Sequence, residues 1–234
     1  MAPVHCSPFD EEFYSSLAEL QPSSTFKWYQ TAIVTLGALN YPEEIPKLYK
    51  FLLDVYIPEE NQLKETRKIR EGLTKACGIM GAAKTGSSLR QLATAIPPEL
   101  MESTYHRAGD TRETAIERGR NMFSQIYGKI PGYDEGKTLH ASPDYYHIVN
   151  DLFYGHIFSF DAVLDILETE QVVVSALLGI DCPEQAKNHM LGILNNGGQS
   201  EDLRFIRDIV SQIADRGHVH LRRVSKFETP RLGS

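Results

Sequence analysis

The sequence predicts an all-α protein. Apolar residues recur at helical spacing along most of the 234-residue chain, whereas alternating β-branched runs bounded by tight-turn pairs are nearly absent. Proline with small polar residues falls where one helical stretch ends and the next begins. Helices over about two-thirds of the chain, with no sheet beyond a marginal hairpin, are expected against ordinary base rates.

Ser7-Pro8 opens a first helix to about Leu20, and Pro22-Ser23-Ser24 ends it and starts a second that carries Trp28 to about Leu39. Tyr41-Pro42-Glu43-Glu44 opens a segment with Ile45, Leu48, Phe51, Leu52 and Tyr56 on one stripe, stopped by Pro58. Three helices follow at about 60–77, 83–95 and 111–127, the last with Asp110 and Glu113 spaced as a capping box. A loop between Ile130 and Pro143, rich in Gly, Asp and Ser, divides the chain into an N-terminal helical region, 1–130, and a second region, 143–215. Helices are expected there at about 143–154, 166–178, 182–195 and 201–214. The tail, 216–234, is expected to run extended or mobile.

Composition narrows the function classes. Acidic residues number 31 against 24 basic ones, a formal charge of −7, and no Lys/Arg run tracks a phosphate backbone, so nucleic acid is not an expected partner. Cys6, Cys77 and Cys182 are widely separated and form no C-x-x-C pair, which argues against a disulfide framework or zinc ribbon and fits a reducing compartment. No basic-then-apolar leader opens the chain, and no run approaches the ~20 apolar residues of a membrane span. The C-terminal residues are not a clear peroxisomal tripeptide. A soluble, cytoplasmic protein with no membrane partner is therefore expected. His218-x-His220 lacks a third ligand nearby, so no metal is expected. Gly78, Gly81 and Gly86 around Lys84-Thr85 follow no strand, so they read as helix packing rather than a phosphate loop, and no cofactor is expected.

One stretch could carry chemistry. In residues 179–184 Asp181 can cap a helix, with Pro183 in its first turn and Glu184 completing the box, which puts Cys182 at the helix N-terminal end, a setting that favours a reactive thiol. Gln185 and His189 follow at i+3 and i+7, on the same face as Cys182, while Ala186, Met190, Ile193 and Leu194 form an apolar side. A polar group on a buried helix needs a partner, and Glu170 on the preceding helix can supply it. Taken alone, such a cysteine is usually a small buried hydrophobe and such a histidine a satisfied core residue. Asn195-Asn196-Gly197-Gly198 reads first as a helix cap and turn, with Asn196 a candidate ligand contact.

The spacing Glu170, eleven residues, Cys182, two, Gln185, three, His189, then Gly192 to Gly197, resembles the signature block of carboxymuconolactone decarboxylase-like and alkylhydroperoxidase D-like proteins. Phe153-Tyr154-Gly155-His156-Ile157 is similar to the segment that precedes that block, and the likeness spans about residues 143–215. Residues 65–84 can also be laid over 168–187, a diverged tandem repeat in which Ile79 stands opposite Cys182 and Gly86 opposite His189. The resemblance implies an alkylhydroperoxidase D-like helical fold and a homo-oligomer. Its peroxidase branch uses two cysteines three apart with a His and a Glu. Here Cys182 matches the first cysteine, and Gln185 takes the place of the peroxidatic second, removing the intramolecular disulfide. The decarboxylase branch implies acid–base, lyase-type chemistry on a small carboxylated or lactone-like metabolite, with His189 and Glu170 moving protons. Cys182 completes the implied catalytic set, with Gln185, His156 and Asn196 as substrate contacts. His156 falls where family members carry an acidic residue. A thiol-dependent peroxidase using Cys182 with an external thiol, and a non-catalytic ligand-binding oligomer, are the alternatives.

Overall fold

The computed structural model describes residues 9–22 and 26–231. Helix takes up 72% of it, and no strand occurs among the described residues. Its helices are α1 (Glu11–Glu19), α2 (Trp28–Ala38), α3 (Ile45–Phe51), α4 (Glu59–Ala93), α5 (Arg112–Tyr127), α6 (Gly136–Ala141), α7 (Pro143–His147), α8 (Ile166–Gly179), α9 (Pro183–Asn195) and α10 (Ser200–Arg216). An 11-residue π-helix, Ile148–Phe158, continues α7. The expected openings at Ser7-Pro8 and Ser23-Ser24 lie outside the described residues, as does Cys6.

Two helices form the centre because their apolar residues are spread around the whole circumference, a pattern that suits burial rather than a surface position. Every residue of α2 is buried, as is α8 from Glu168 to Gly179. They pack on each other and are wrapped by α4, α9 and α10, so one continuous core draws on both halves of the chain. Their polar side chains are satisfied internally, since Gln171 Nε2 donates to Lys27 O at 2.8 Å and to Thr31 Oγ1 at 2.9 Å. No helix of the described residues is long and apolar enough to cross a membrane.

Four local expectations are corrected. The two helices placed at 60–77 and 83–95 are one element broken at Gly81, whose φ of +80° a residue with a Cβ rarely adopts. The capping box of α5 uses Thr111 and Thr114, each side chain accepting from the other's backbone N–H at 3.2 and 3.1 Å. Asp110 is instead drawn to Arg118, 2.7 Å away, which holds its carboxyl below the usual range. The chain after Arg216 folds back rather than running extended: Leu221 and Val224 are buried, and the Asp181 carboxylate accepts from the backbone N–H groups of Arg223 and Val224, both at 2.9 Å. Asp181, at φ +61°, therefore holds the tail and does not cap α9, whose N-cap is Cys182.

α5 lies unusually close to the π-helix. A Cβ on Gly119 would stand 2.6 Å from Gly155 N and 2.7 Å from its Cα, so a larger residue there would force the backbones apart at a cost of about 1–3 kcal/mol or more. That approach brings the C-terminal turn of α5, ending in Tyr127, against Tyr154 of the π-helix.

Candidate active site

α8 starts from a capping box, Asp165 accepting from Glu168 N at 2.9 Å and Glu168 accepting from Asp165 N at 3.2 Å. This start sets the helical register that turns Glu170 into the core, where it is 0% exposed. A carboxylate so placed is costly unless paired and hydrogen-bonded. Its partner comes from α9, which returns along α8, and His189 Nδ1 lies 2.9 Å from Glu170 Oε2 and 3.2 Å from Oε1. An ionised carboxylate only accepts, which places a hydrogen on Nδ1, and in the neutral ring Nε2 is then the acceptor. The Tyr127 hydroxyl meets Nε2 at 3.1 Å, and the Tyr154 hydroxyl meets that of Tyr127 at 2.7 Å. Burial holds both phenols well above their ordinary range, with the Glu170 charge adding to it, so they act as neutral hydroxyls.

This hydrogen-bonded row borders a cavity of about 670 Å³. Phe123, Tyr127, Tyr133, Phe153, Tyr154 and Phe158 form the aromatic part of its wall, and polar groups come from Gln185, Asn188 and His189 of α9 and from Asp134, Lys137 and Thr138. A cavity of that size, which combines aromatic walls with convergent polar groups, can hold a small molecule. The Tyr127 ring is fixed by Tyr133, stacked with centroids 4.3 Å apart, and by Phe123 at 4.5 Å.

Of the residues singled out from sequence, Glu170 and His189 come together, and Gln185 lines the same cavity. Cys182 sits at the N-terminus of α9, but its Sγ faces Ile180 O at 3.7 Å and it is not part of the cavity wall. His156 is also outside that wall, and its carbonyl accepts from Arg107 Nε at 3.0 Å. Asn196 caps α9, its side-chain amide donating to Gly192 O at 2.8 Å and to Gln125 O at 3.1 Å. Among the described residues no group of three or more His, Cys, Asp or Glu side chains could hold a metal ion. Sequence reasoning missed Tyr127 and Tyr133, and it read Tyr154 only as part of the string Phe153-Tyr154-Gly155-His156-Ile157. Nothing local marks them, because what distinguishes them is contact with His189 and one another.

Fold and site thus define an all-helical protein with a buried carboxylate–imidazole pair extended by two phenols beside an aromatic cavity. The chain belongs to the Peroxisomal protein 2 family. It is 30% identical to Peroxisomal protein 2 of Schizosaccharomyces pombe, across 80% of this chain and 84% of that one. It is 25% identical to Peroxisomal protein 2 of Saccharomyces cerevisiae, across 85% of this chain and 91% of that one. Neither a protein-family model nor a solved structure matches the chain. The relatives' names overturn the cytoplasmic location expected from sequence. Widely separated cysteines without a C-x-x-C pair, on which that expectation partly rested, do not separate the cytosol from another reducing compartment.

Proposed function

We propose that this protein is a peroxisomal acid–base enzyme that performs lyase-type chemistry on a small carboxylated or lactone-like metabolite bound in the aromatic cavity. The observation that carries the reading is the Glu170–His189 pair, buried but bordering the cavity through His189. A carboxylate that holds an imidazole at the edge of a cleft suits proton transfer, and imidazole is the side chain ordinarily suited to it near neutrality. The likeness of residues 143–215 to carboxymuconolactone decarboxylase-like proteins supports the reaction class, and the names of the two yeast relatives support the location.

The position of Cys182 favours this reading over a thiol peroxidase, since its Sγ lies off the cavity and Gln185 stands where a second cysteine would be needed. Small lactones and oxo acids screened for CO2 release or an ultraviolet change should yield a substrate that wild type and Cys182→Ser turn over equally. Thiol-supported consumption of an organic hydroperoxide that disappears in Cys182→Ser would transfer the assignment to the peroxidase. A fluorescently tagged chain should gather with a peroxisomal marker, and an even cytosolic signal would refute the location.

A further inference from the structure

An imidazole has two ring nitrogens, and in this site both are engaged. Nδ1 of His189 is held by Glu170 at 2.9 Å and Nε2 by the Tyr127 hydroxyl at 3.1 Å. Neither a lone pair nor an N–H of the ring is left over to meet a ligand directly. The Tyr127 hydroxyl is bonded in turn to that of Tyr154, and both tyrosines line the cavity. Stacking by Tyr133 and a tilted contact with Phe123 fix the ring, so the hydroxyl is presented in one place without further reorganisation.

We infer that Tyr127 is the catalytic residue that passes protons between a ligand in the cavity and the Glu170–His189 pair, with Tyr154 positioning its hydroxyl. The inference rests on the acid–base reading above. In the base direction, the proton of a ligand C–H bond moves to the Tyr127 oxygen while the Tyr127 hydroxyl proton moves to His189 Nε2. The electron pair of the broken C–H bond stays on the ligand as a carbanion or enolate, and the positive charge gained by the imidazole rests beside the Glu170 carboxylate. The acid direction is the reverse, His189 returning its Nε2 proton to Tyr127 as Tyr127 protonates the ligand carbon. Phenol burial fits a concerted exchange, because a free phenolate is disfavoured at both tyrosines. Tyr154 donates to the Tyr127 oxygen throughout, which fixes the direction of the row.

Tyr127→Phe keeps the ring and its stacking and removes only the hydroxyl. Diethyl pyrocarbonate acylates an unprotonated, reachable imidazole nitrogen, so modification of His189, followed by mass spectrometry, should be about 10-fold or more faster in Tyr127→Phe than in wild type once Nε2 is uncovered. Equal rates would mean that Nε2 already opens to the cavity, and the relay would be overturned. Nitrogen-15 spectra of the wild-type protein read the same point without any variant: His189 should be the Nδ1–H tautomer with Nε2 accepting a hydrogen bond, and an Nε2–H tautomer overturns the assignment. With a substrate in hand, Tyr127→Phe should lower kcat by roughly 10²-fold with KM little changed, and Tyr154→Phe less. If His189→Gln abolishes turnover while Tyr127→Phe retains it, the relay fails and the acid–base reading stands. If neither substitution matters, the acid–base reading itself fails.

Discussion

Replacing His189 with Gln should lower turnover of the true substrate by about 10²–10⁴-fold, the range for losing a general acid–base group, with Glu170→Gln costing somewhat less. The two residues act as a unit, because Glu170 has no route to the cavity except through His189, and His189 owes its tautomer to Glu170. A Gln side chain at position 189 can still donate to the buried carboxylate, which spares the protein an unpaired charge in its core. At position 170 a Gln carbonyl can still accept from Nδ1, so the tautomer survives while the charge that steadies an imidazolium is lost. Both variants should therefore keep a wild-type far-ultraviolet circular dichroism spectrum while losing turnover. Full turnover by His189→Gln with any substrate so identified would remove this pair from the mechanism.

The second large effect concerns stability. Lys75 is 0% exposed, and its ammonium donates to Phe158 O at 2.7 Å and to Thr169 Oγ1 at 2.6 Å. It joins the break-containing helix α4 to the end of the π-helix and to the residue beside Glu170. Burial pushes its pKa down to about 7, against an ordinary 10.5, with Glu71 opposing the shift and Arg107 adding to it. Between pH 7 and 10.5 the unfolded chain holds a proton that the folded protein has released, so stability rises with pH across that window. Below pH 7 both states are protonated and the full cost of burying the charge is present. Relative to Lys75→Met, wild type should gain about 2 kcal/mol between pH 7 and pH 9, since one pKa unit corresponds to about 1.4 kcal/mol. Urea midpoints at the two pH values measure it. Parallel pH dependence in wild type and variant would show that Lys75 stays charged in the fold.

Much of the fold was legible because helices are written locally. The apolar periodicity of α8, α9 and α10 and the prolines that open α7 and α9 place these elements to within a few residues. Caps were less legible: Asp110 and Asp181 have the right residue type at nearly the right place, yet each is drawn off by another partner, Arg118 within α5 itself in one case and the returning tail in the other. For a short acidic side chain the choice between a cap and a tertiary partner depends on which groups the fold brings within about 3 Å, which spacing does not record.

In the site, the sequence by itself determined Glu170 and His189, because a helix register and a short turn suffice to set facing positions on α8 and α9. Only the tertiary structure decided what surrounds them. Tyr127 and Tyr154 lie 27 residues apart and reach each other because α5 and the π-helix meet backbone to backbone at Gly119 and Gly155. Cys182 shares a helix face with His189 in projection, but as the N-cap residue it departs from helical geometry, and its sulfur turns toward Ile180. Lys75, a residue type that composition alone assigns to the surface, is buried because three elements close over it, a placement that follows from packing in space and leaves no trace in spacing along the chain.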